Sequence, residues 1–112
     1  VETEIWKDIK DYENLYEVSN FGKVRRKRTQ KIMSIYLNHK GYCKVSLSRK
    51  NKSKNHRVHR LVAIAFLENN NYNLEVNHKD FNKLNNHVDN LEWVTGEENI
   101  KHYQDFLLST KN

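Results

Sequence analysis

Residues 76–99 constrain this chain more tightly than any other stretch. They read Val76-Asn77-His78-Lys79-Asp80, then Asn85-Asn86, then Asn90-Leu91-Glu92-Trp93-Val94-Thr95, then Glu97-Glu98-Asn99. The apolar residues on either side of an asparagine-rich stretch predict two short strands, with Asn85 and Asn86 closing the turn between them. Thr95-Gly96-Glu97-Glu98 fits a capping box, with Thr95 as N-cap and Glu98 at N3, so a helix follows at once. Ile100, Tyr103 and Leu107 recur at helical spacing and are expected to face the core. Asn99 and His102 flank that stripe and can lean toward a neighbouring strand.

A strand carrying a histidine, a loop held by an asparagine and a helix returning an amide form a minimal apparatus for cutting a phosphodiester. Such a cut needs an activated water, stabilisation of an anionic transition state and help for the departing 3′ oxygen. A histidine with an ordinary pKa near 6.5 takes a proton from water at neutral pH. A single divalent cation can bridge the scissile phosphate and the leaving oxygen. Of the remaining histidines, His39, His56, His87 and His102 are expected not to be ligands.

Charge identifies the partner. Residues 1–20 hold two basic and six acidic side chains, residues 21–60 hold fourteen basic and no acidic ones, and residues 61–112 hold four basic and eight acidic ones. Mutual repulsion disfavours a carboxylate-free block of that length unless a polyanion neutralises it. Nucleic acid is the polyanion expected, and a merely basic solvated surface is the competing reading. The basic residues expected to meet it are Lys23, Arg25, Arg26, Arg28, Lys44, Arg49, Lys52, Lys54, Arg57 and Arg60, together with His59, which could contact a phosphate or sit beside the active site, with packing at the helix start an equal alternative. Most should touch phosphates, while Arg25, Arg26 and Arg28 could alternate on a groove-facing strand and read base edges.

Upstream of the polar segment, residues 5–48 read as short strands and tight turns forming a small antiparallel sheet. Ser19-Asn20-Phe21-Gly22 supplies one turn, with Gly22 free to take positive φ. Strands are expected over 23–28, 32–37 and 42–47, and residues 49–57 suit a basic hairpin tip. Residues 58–67 are densely apolar, too short to span a membrane and too alanine-rich for a strand, so a buried helix fits. Residues 68–73 read as a loop. Trp6 and Trp93 are expected to anchor the core. Cys43 stands alone in a strand-like setting, which rules out an internal disulfide and a Cys-rich zinc site and suits a reducing, cytoplasmic compartment. The first residue is Val1, as if the start were trimmed, and no charged-then-apolar leader is present, so export is not expected.

His78, Asn90 and Asn99, with the Asn-Leu-Glu-Trp-Val-Thr string between them, are similar in spacing to the HNH (His-Me finger, ββα-metal) endonucleases of the phage and intron homing type. Trp6-Lys7-Asp8-Ile9, Tyr12-Glu13, Tyr16-Glu17-Val18-Ser19-Asn20-Phe21-Gly22 and Val24-Arg25 resemble the DNA-binding module that often precedes the nuclease. Val58-His59-Arg60-Leu61-Val62-Ala63 resembles the entry to the nuclease half, and the likeness runs over about residues 4–103. It implies an α+β fold, with a β-rich DNA-binding module over 1–57 and a ββα-metal nuclease core over 58–112. It implies a metal-dependent DNA endonuclease leaving 5′-phosphate and 3′-hydroxyl ends. His78 would be the general base, Asn90 would orient it or brace its loop, and Asn77 and Asn99 would hold Mg²⁺ or Mn²⁺. No structural zinc is expected.

The chain departs from the family pattern at Asn77, where an aspartate is usual. An amide oxygen brings no charge to offset the ion's, so metal binding should lean on the DNA phosphates. The partner is double-stranded DNA, with no membrane involved. A monomer or weak dimer with one active site should nick one strand. The chain stops soon after Leu108, where homing enzymes often add a helical DNA-reading module, which suggests low sequence specificity or a partner that supplies recognition. The alternative is a DNA-binding protein that keeps the fold without catalysis; an RNA-directed nuclease is a weaker third reading.

Overall fold

The computed structural model describes residues 2–68 and 74–109. Most of the loop expected over 68–73 therefore lies outside the described residues. Three antiparallel sheets surround one short helix. The first holds β1 (Trp6–Asp8), β2 (Tyr16–Ser19) and β3 (Val24–Arg26) in that order. The second holds β4 (Tyr36–Leu37), β5 (Cys43–Arg49) and β6 (Lys52–Arg57), and the third pairs β7 (Glu75–His78) with β8 (Leu91–Val94). The helix α1 (Val58–Phe66) follows β6 without a loop, and α2 (Gly96–Ser109) closes the described chain. This is the expected α+β architecture, with β7, β8 and α2 forming the ββα unit.

Helix α1 buries Val58, His59, Leu61, Val62 and Ala63, residues spaced to fall on one face. It packs against β2, β5, β6, β7, β8 and the 3₁₀ turn Val88–Asn90. One core cluster therefore joins Val18 and Val24 of the first sheet, Val45 and Leu47 of the second, and Val76 and Leu91 of the third. Cys43 is buried in this cluster, as expected of a structural thiol. Trp93 packs against the cluster and donates from Nε1 to the Leu67 carbonyl at 3.2 Å. Trp6 departs from the expectation: its ring is only half-buried and is covered by the Arg25 guanidinium, 4.0 Å from its centroid.

Several boundaries differ from the sequence reading. The strand expected over 23–28 is only Val24–Arg26, because the chain turns at Gln30 (φ 61°) and Arg26 N donates to the Lys31 carbonyl. The strand expected over 32–37 reduces to a bridge between Ile32 and Arg25 and the two residues of β4. Ile32, Ile35, Tyr36 and Leu37 all stay exposed, so nothing buried fixes a longer ladder there. Residues 49–57 are mostly strand. Lys50 and Asn51 alone form the tip, both at positive φ, as a two-residue hairpin turn with right-twisted arms requires. The six polar residues of β6 suit a sheet edge, where charge discourages further pairing.

The capping box is present: Glu98 N donates to Thr95 Oγ1 at 3.1 Å, and Thr95 N donates to Glu98 Oε1 at 3.2 Å. The stripe it starts does not face the core, however. Ile100, Tyr103 and Leu107 are 61%, 55% and 41% exposed, and none of the described residues of α2 is buried. The helix meets β7 and β8, and further along it meets the ring of Phe81, which stacks on His102 at 4.3 Å and on Phe106 at 4.2 Å. Phe81 reaches it from a left-handed backbone (φ 64°), a strained state for an aromatic residue, beside the His78 strand end.

A core shared across all three sheets should unfold as a unit. Leu47→Ala and Leu91→Ala, in different sheets, are each expected to lower stability by about 2–5 kcal/mol. In urea, tryptophan fluorescence and far-UV circular dichroism should report one coincident transition for both variants. Separate transitions by the two probes would show two independent units.

Candidate active site

His78 ends β7, paired with Leu91 of β8, and is only 5% exposed. Its Nε2 lies 2.8 Å from Asn86 Oδ1. An amide oxygen can only accept, so Nε2 carries the proton and the lone pair of the neutral ring is on Nδ1. The residue that fixes the tautomer is therefore Asn86, which the sequence reading treated only as a turn former. Its signal was its position in the Asn85-Asn86 pair, eight residues after His78.

Asn90 braces the loop. Its Nδ2 donates to Asp80 Oδ1 at 2.8 Å and to the Asn85 carbonyl at 2.9 Å, and its Oδ1 accepts from Asp80 N at 3.1 Å. Its own carbonyl accepts from Lys79 N at 2.8 Å. Hydrogen bonds, first from Asn85 and then from the Asn82 backbone and Asn90, hold the Asp80 carboxyl below its ordinary range. Of the two roles the sequence left open for Asn90, the geometry shows the bracing one.

Asn77 and Asn99 line one groove of about 620 Å³ together with His78, Tyr42, Phe81 and Lys83. Each amide is backed by a carboxylate. Asn77 Nδ2 faces Glu92 Oε1 at 3.4 Å, and Asn99 Nδ2 donates to Glu75 Oε2 at 3.0 Å. With its nitrogen turned to a carboxylate, each side chain presents its oxygen as the atom for a cation. The donor set thus fits a hard divalent ion, and the two carboxylates behind it bring the negative charge that amide ligands lack. The described residues also gather Glu2, His87 and Asp89, whose ligand atoms lie within 4.8 Å of one another, so His87 belongs to a potential cation group that the sequence reading set aside.

His59 does not present itself to a ligand. It is 4% exposed, stacked on Tyr42 at 5.1 Å and tilted against His78 at 4.9 Å, so of its expected placements the phosphate contact is corrected, and it packs at the helix start beside His78. The apolar first turn of α1 carries it inward. Burial first, then the neighbouring charges of His78, Arg57 and Arg60, push its imidazole down to about 3. On its other side, Tyr42 meets two cations, Lys83 Nζ at 4.7 Å and the Arg57 guanidinium at 5.2 Å from its ring.

The other basic residues separate into tethered and open ones. Arg25 donates to Glu17 Oε1 at 2.9 Å while lying over Trp6, and Arg28 lies beyond the end of β3, so the three arginines do not form one base-reading row. Arg49 donates to the Asp11 carbonyl at 2.7 Å. Lys23, Arg26, Arg28, Lys52, Lys54, Arg57 and Arg60 are exposed, and Lys44 is half-buried. Across the β5–β6 hairpin, Lys44 stands directly opposite Arg57, and Arg49 opposite Lys52. Like charges in directly opposed positions are destabilising unless something neutralises them.

Known proteins share this sequence and fold. Residues 4–48 match the NUMOD4 motif, and residues 56–101 match the HNH endonuclease model. The chain belongs to the HNH endonuclease family. It is 45% identical over 96 residues to the DNA endonuclease I-HmuI of Bacillus phage SP01, covering 86% of this chain and 55% of that one. It is also 45% identical over 97 residues to the uncharacterized HNH endonuclease L245 of Acanthamoeba polyphaga mimivirus, covering 87% of this chain and 29% of that one. The solved structure of the HNH homing endonuclease I-HmuI superposes with a TM-score of 0.85 at 42% identity, over 96% of this chain and 61% of that one. The chain thus spans from under a third to about half the length of these sequence relatives.

The depressed His59 pKa has a stability consequence of fixed sign. In the unfolded chain His59 takes a proton near 6.5, but in the fold only near 3. Between those values the unfolded state binds more protons, so this contribution falls as pH drops through that window, by up to about 1.4 kcal/mol per pH unit. Urea titrations of the wild type and His59→Gln at pH 7, 6 and 5 should show a flatter pH dependence in the variant. Parallel slopes would place the titrating group elsewhere.

Proposed function

We propose that the chain is a metal-dependent DNA endonuclease that hydrolyses one phosphodiester per visit. The carrying observation is a buried histidine held at Nε2 by Asn86 Oδ1, in the same groove as two amide side chains each backed by a carboxylate. Asn86 holds the neutral ring in that tautomer, His78 Nδ1 takes the proton from the attacking water, and the Nε2–H···Oδ1 bond keeps the charged ring oriented. Asn77 and Asn99 would hold Mg²⁺ or Mn²⁺, which would supply charge stabilisation at the scissile phosphate and the leaving oxygen. Asn90 keeps the loop that carries Asp80 and Asn85 closed. Lys83, Arg57 and Arg60, beside the groove or at the start of α1, draw in the phosphate backbone.

In this reading residues 1–57 act as the DNA-gripping module and residues 58–112 as the nuclease core. One active site per monomer nicks one strand. The protein acts in the cytoplasm of a bacterial or phage-infected cell, in keeping with the phage and bacterial origin of relatives such as I-HmuI. Among the described residues no helix is long and apolar enough to cross a membrane.

Supercoiled plasmid incubated with the wild type and Mg²⁺ or Mn²⁺ should convert to nicked circles, and chelator should stop it. His78→Ala should lose that activity by at least about 10²-fold while binding plasmid as before. Plasmid binding without cleavage in either metal would favour a DNA-binding protein that keeps the fold.

The charge argument for the two carboxylates can be tested apart from activity. Glu75→Gln and Glu92→Gln should each weaken Mn²⁺ binding in the presence of uncleavable duplex by about 10–100-fold, as calorimetry would read. Unchanged affinity in both would leave the amides acting without them.

A further inference from the structure

We propose that the Ser19–Gly22 turn of the N-terminal sheet is a positioning element for the nuclease base, acting through Asn86. This rests on the reading of His78 as that base. The turn builds itself. Ser19 is fully buried, and its Oγ accepts from both Phe21 N and Lys23 N at 3.2 Å. Gly22 N donates to the Ser19 carbonyl at 3.0 Å, and Gly22 sits at φ +85°. Asn20 pins the segment preceding β1, its Oδ1 accepting from Ile5 N at 2.8 Å and its Nδ2 donating to the Thr3 carbonyl at 3.1 Å. The turn is thus rigid before it touches anything in the nuclease half.

It touches the loop that holds His78 at three successive residues. A Cβ on Gly22 would lie 2.8 Å from Asn86 Cβ and 3.0 Å from the Asn86 carbonyl oxygen, closer than real side chains approach. The Phe21 ring stacks on His87 at 5.3 Å. The Asn20 carbonyl accepts from Val88 N at 2.9 Å. Asn86, clamped from this side and 6% exposed, offers its Oδ1 to His78 Nε2 at 2.8 Å on the other. Any side chain at position 22 must push Asn86 away, and the obstructing atoms are a Cβ and a backbone carbonyl, which cannot rotate aside. The absence of a side chain at Gly22 therefore serves the histidine, beyond the turn's own need for positive φ.

The arrangement also makes catalysis depend on the N-terminal sheet being folded and docked. A geometric error of the order of 1 Å at a reacting group can lower a rate by about 10²-fold, so small displacements here are large in their effect.

The test uses the full chain and compares Gly22→Ala, Asn86→Ala and the double variant on supercoiled plasmid with Mn²⁺. Gly22→Ala should reduce kcat by at least about tenfold while leaving KM for plasmid within about twofold. In the Asn86→Ala background the same change should remove little further activity, because the contact through which it acts has gone. A merely structural role for Gly22 would instead add its loss in both backgrounds. Should Gly22→Ala melt far below the wild type, Phe21→Ala carries the test, since it removes the stack on His87 without a positive-φ demand, and the same kcat loss and non-additivity are expected. Wild-type rates in a folded Gly22→Ala, or equal losses in both backgrounds, would overturn the proposal. A wild type that cleaves nothing would instead overturn the nuclease reading on which it stands.

Discussion

Burial of one face of α1 is the interaction on which the rest of the structure depends. The chain has 37% hydrophobic residues, and the sheets of the described residues have two to three strands each, at or below the smallest size that can be stable without packing against a helix. Only by closing on Val58, Leu61, Val62 and Ala63 do the three sheets acquire a common interior. The helix is nine residues long, too short to persist alone, so helix and sheets stabilise each other. Ala63 lies in the buried stretch of α1, where a small residue lets strand backbones come near.

That shared core also explains how a single histidine ring can be fixed by residues distant in sequence. His78 sits on a two-stranded ribbon, which by itself would hold a side chain loosely. Its ring is confined by Asn86 through a hydrogen bond, by His59 from α1, and by Tyr42 just ahead of β5. The depressed pKa of His59 keeps that neighbour neutral, so it packs against His78 without bringing a charge of its own. The amides Asn77 and Asn99 are treated in the same way, each turned by a carboxylate of the ribbon, Glu92 from β8 and Glu75 from β7. Negative charge therefore stands one hydrogen bond behind each amide.

The sequence made the ββα unit legible because each signal there was local. The capping box at Thr95 and Glu98, the apolar run of α1 and the positive-φ need at Gly22 are all decided within a few residues. What it hid was set by tertiary contacts. The stripe Ile100, Tyr103 and Leu107 has helical period, but period says only that residues share a face, and here that face lines an open groove. His59 looked like a basic-block contact because neighbours Arg57 and Arg60 are exposed, yet the helix phase turns it inward. Asn86 was hidden for a similar reason: an Asn-Asn pair is ordinary turn chemistry, and only the fold shows which amide meets the histidine. Arg25 stood in a basic run, and nothing local revealed that Glu17, eight residues back across the β2–β3 pair, would claim it.

The carboxylate-free block takes on a further meaning once its registers are known. Lys44 opposite Arg57 and Arg49 opposite Lys52 place like charges in directly opposed positions, on a hairpin whose inner residues Val45 and Leu47 are fully buried. Burial fixes the register, since a slip of one residue would turn Val45 and Leu47 outward, so the repulsion cannot be relieved by sliding. Within the fold it is eased by the Asp11 carbonyl that accepts from Arg49 and the Tyr42 ring under Arg57, and from outside by phosphates or dissolved salt. The free protein and its proposed DNA complex should then respond to ionic strength with opposite signs. Salt screens the hairpin's self-repulsion and stabilises the free fold, while it weakens the complex by competing for the same cations. The hairpin is thus poised against its own charge, and a polyanion laid on it, as proposed for DNA, would stabilise the sheet it meets.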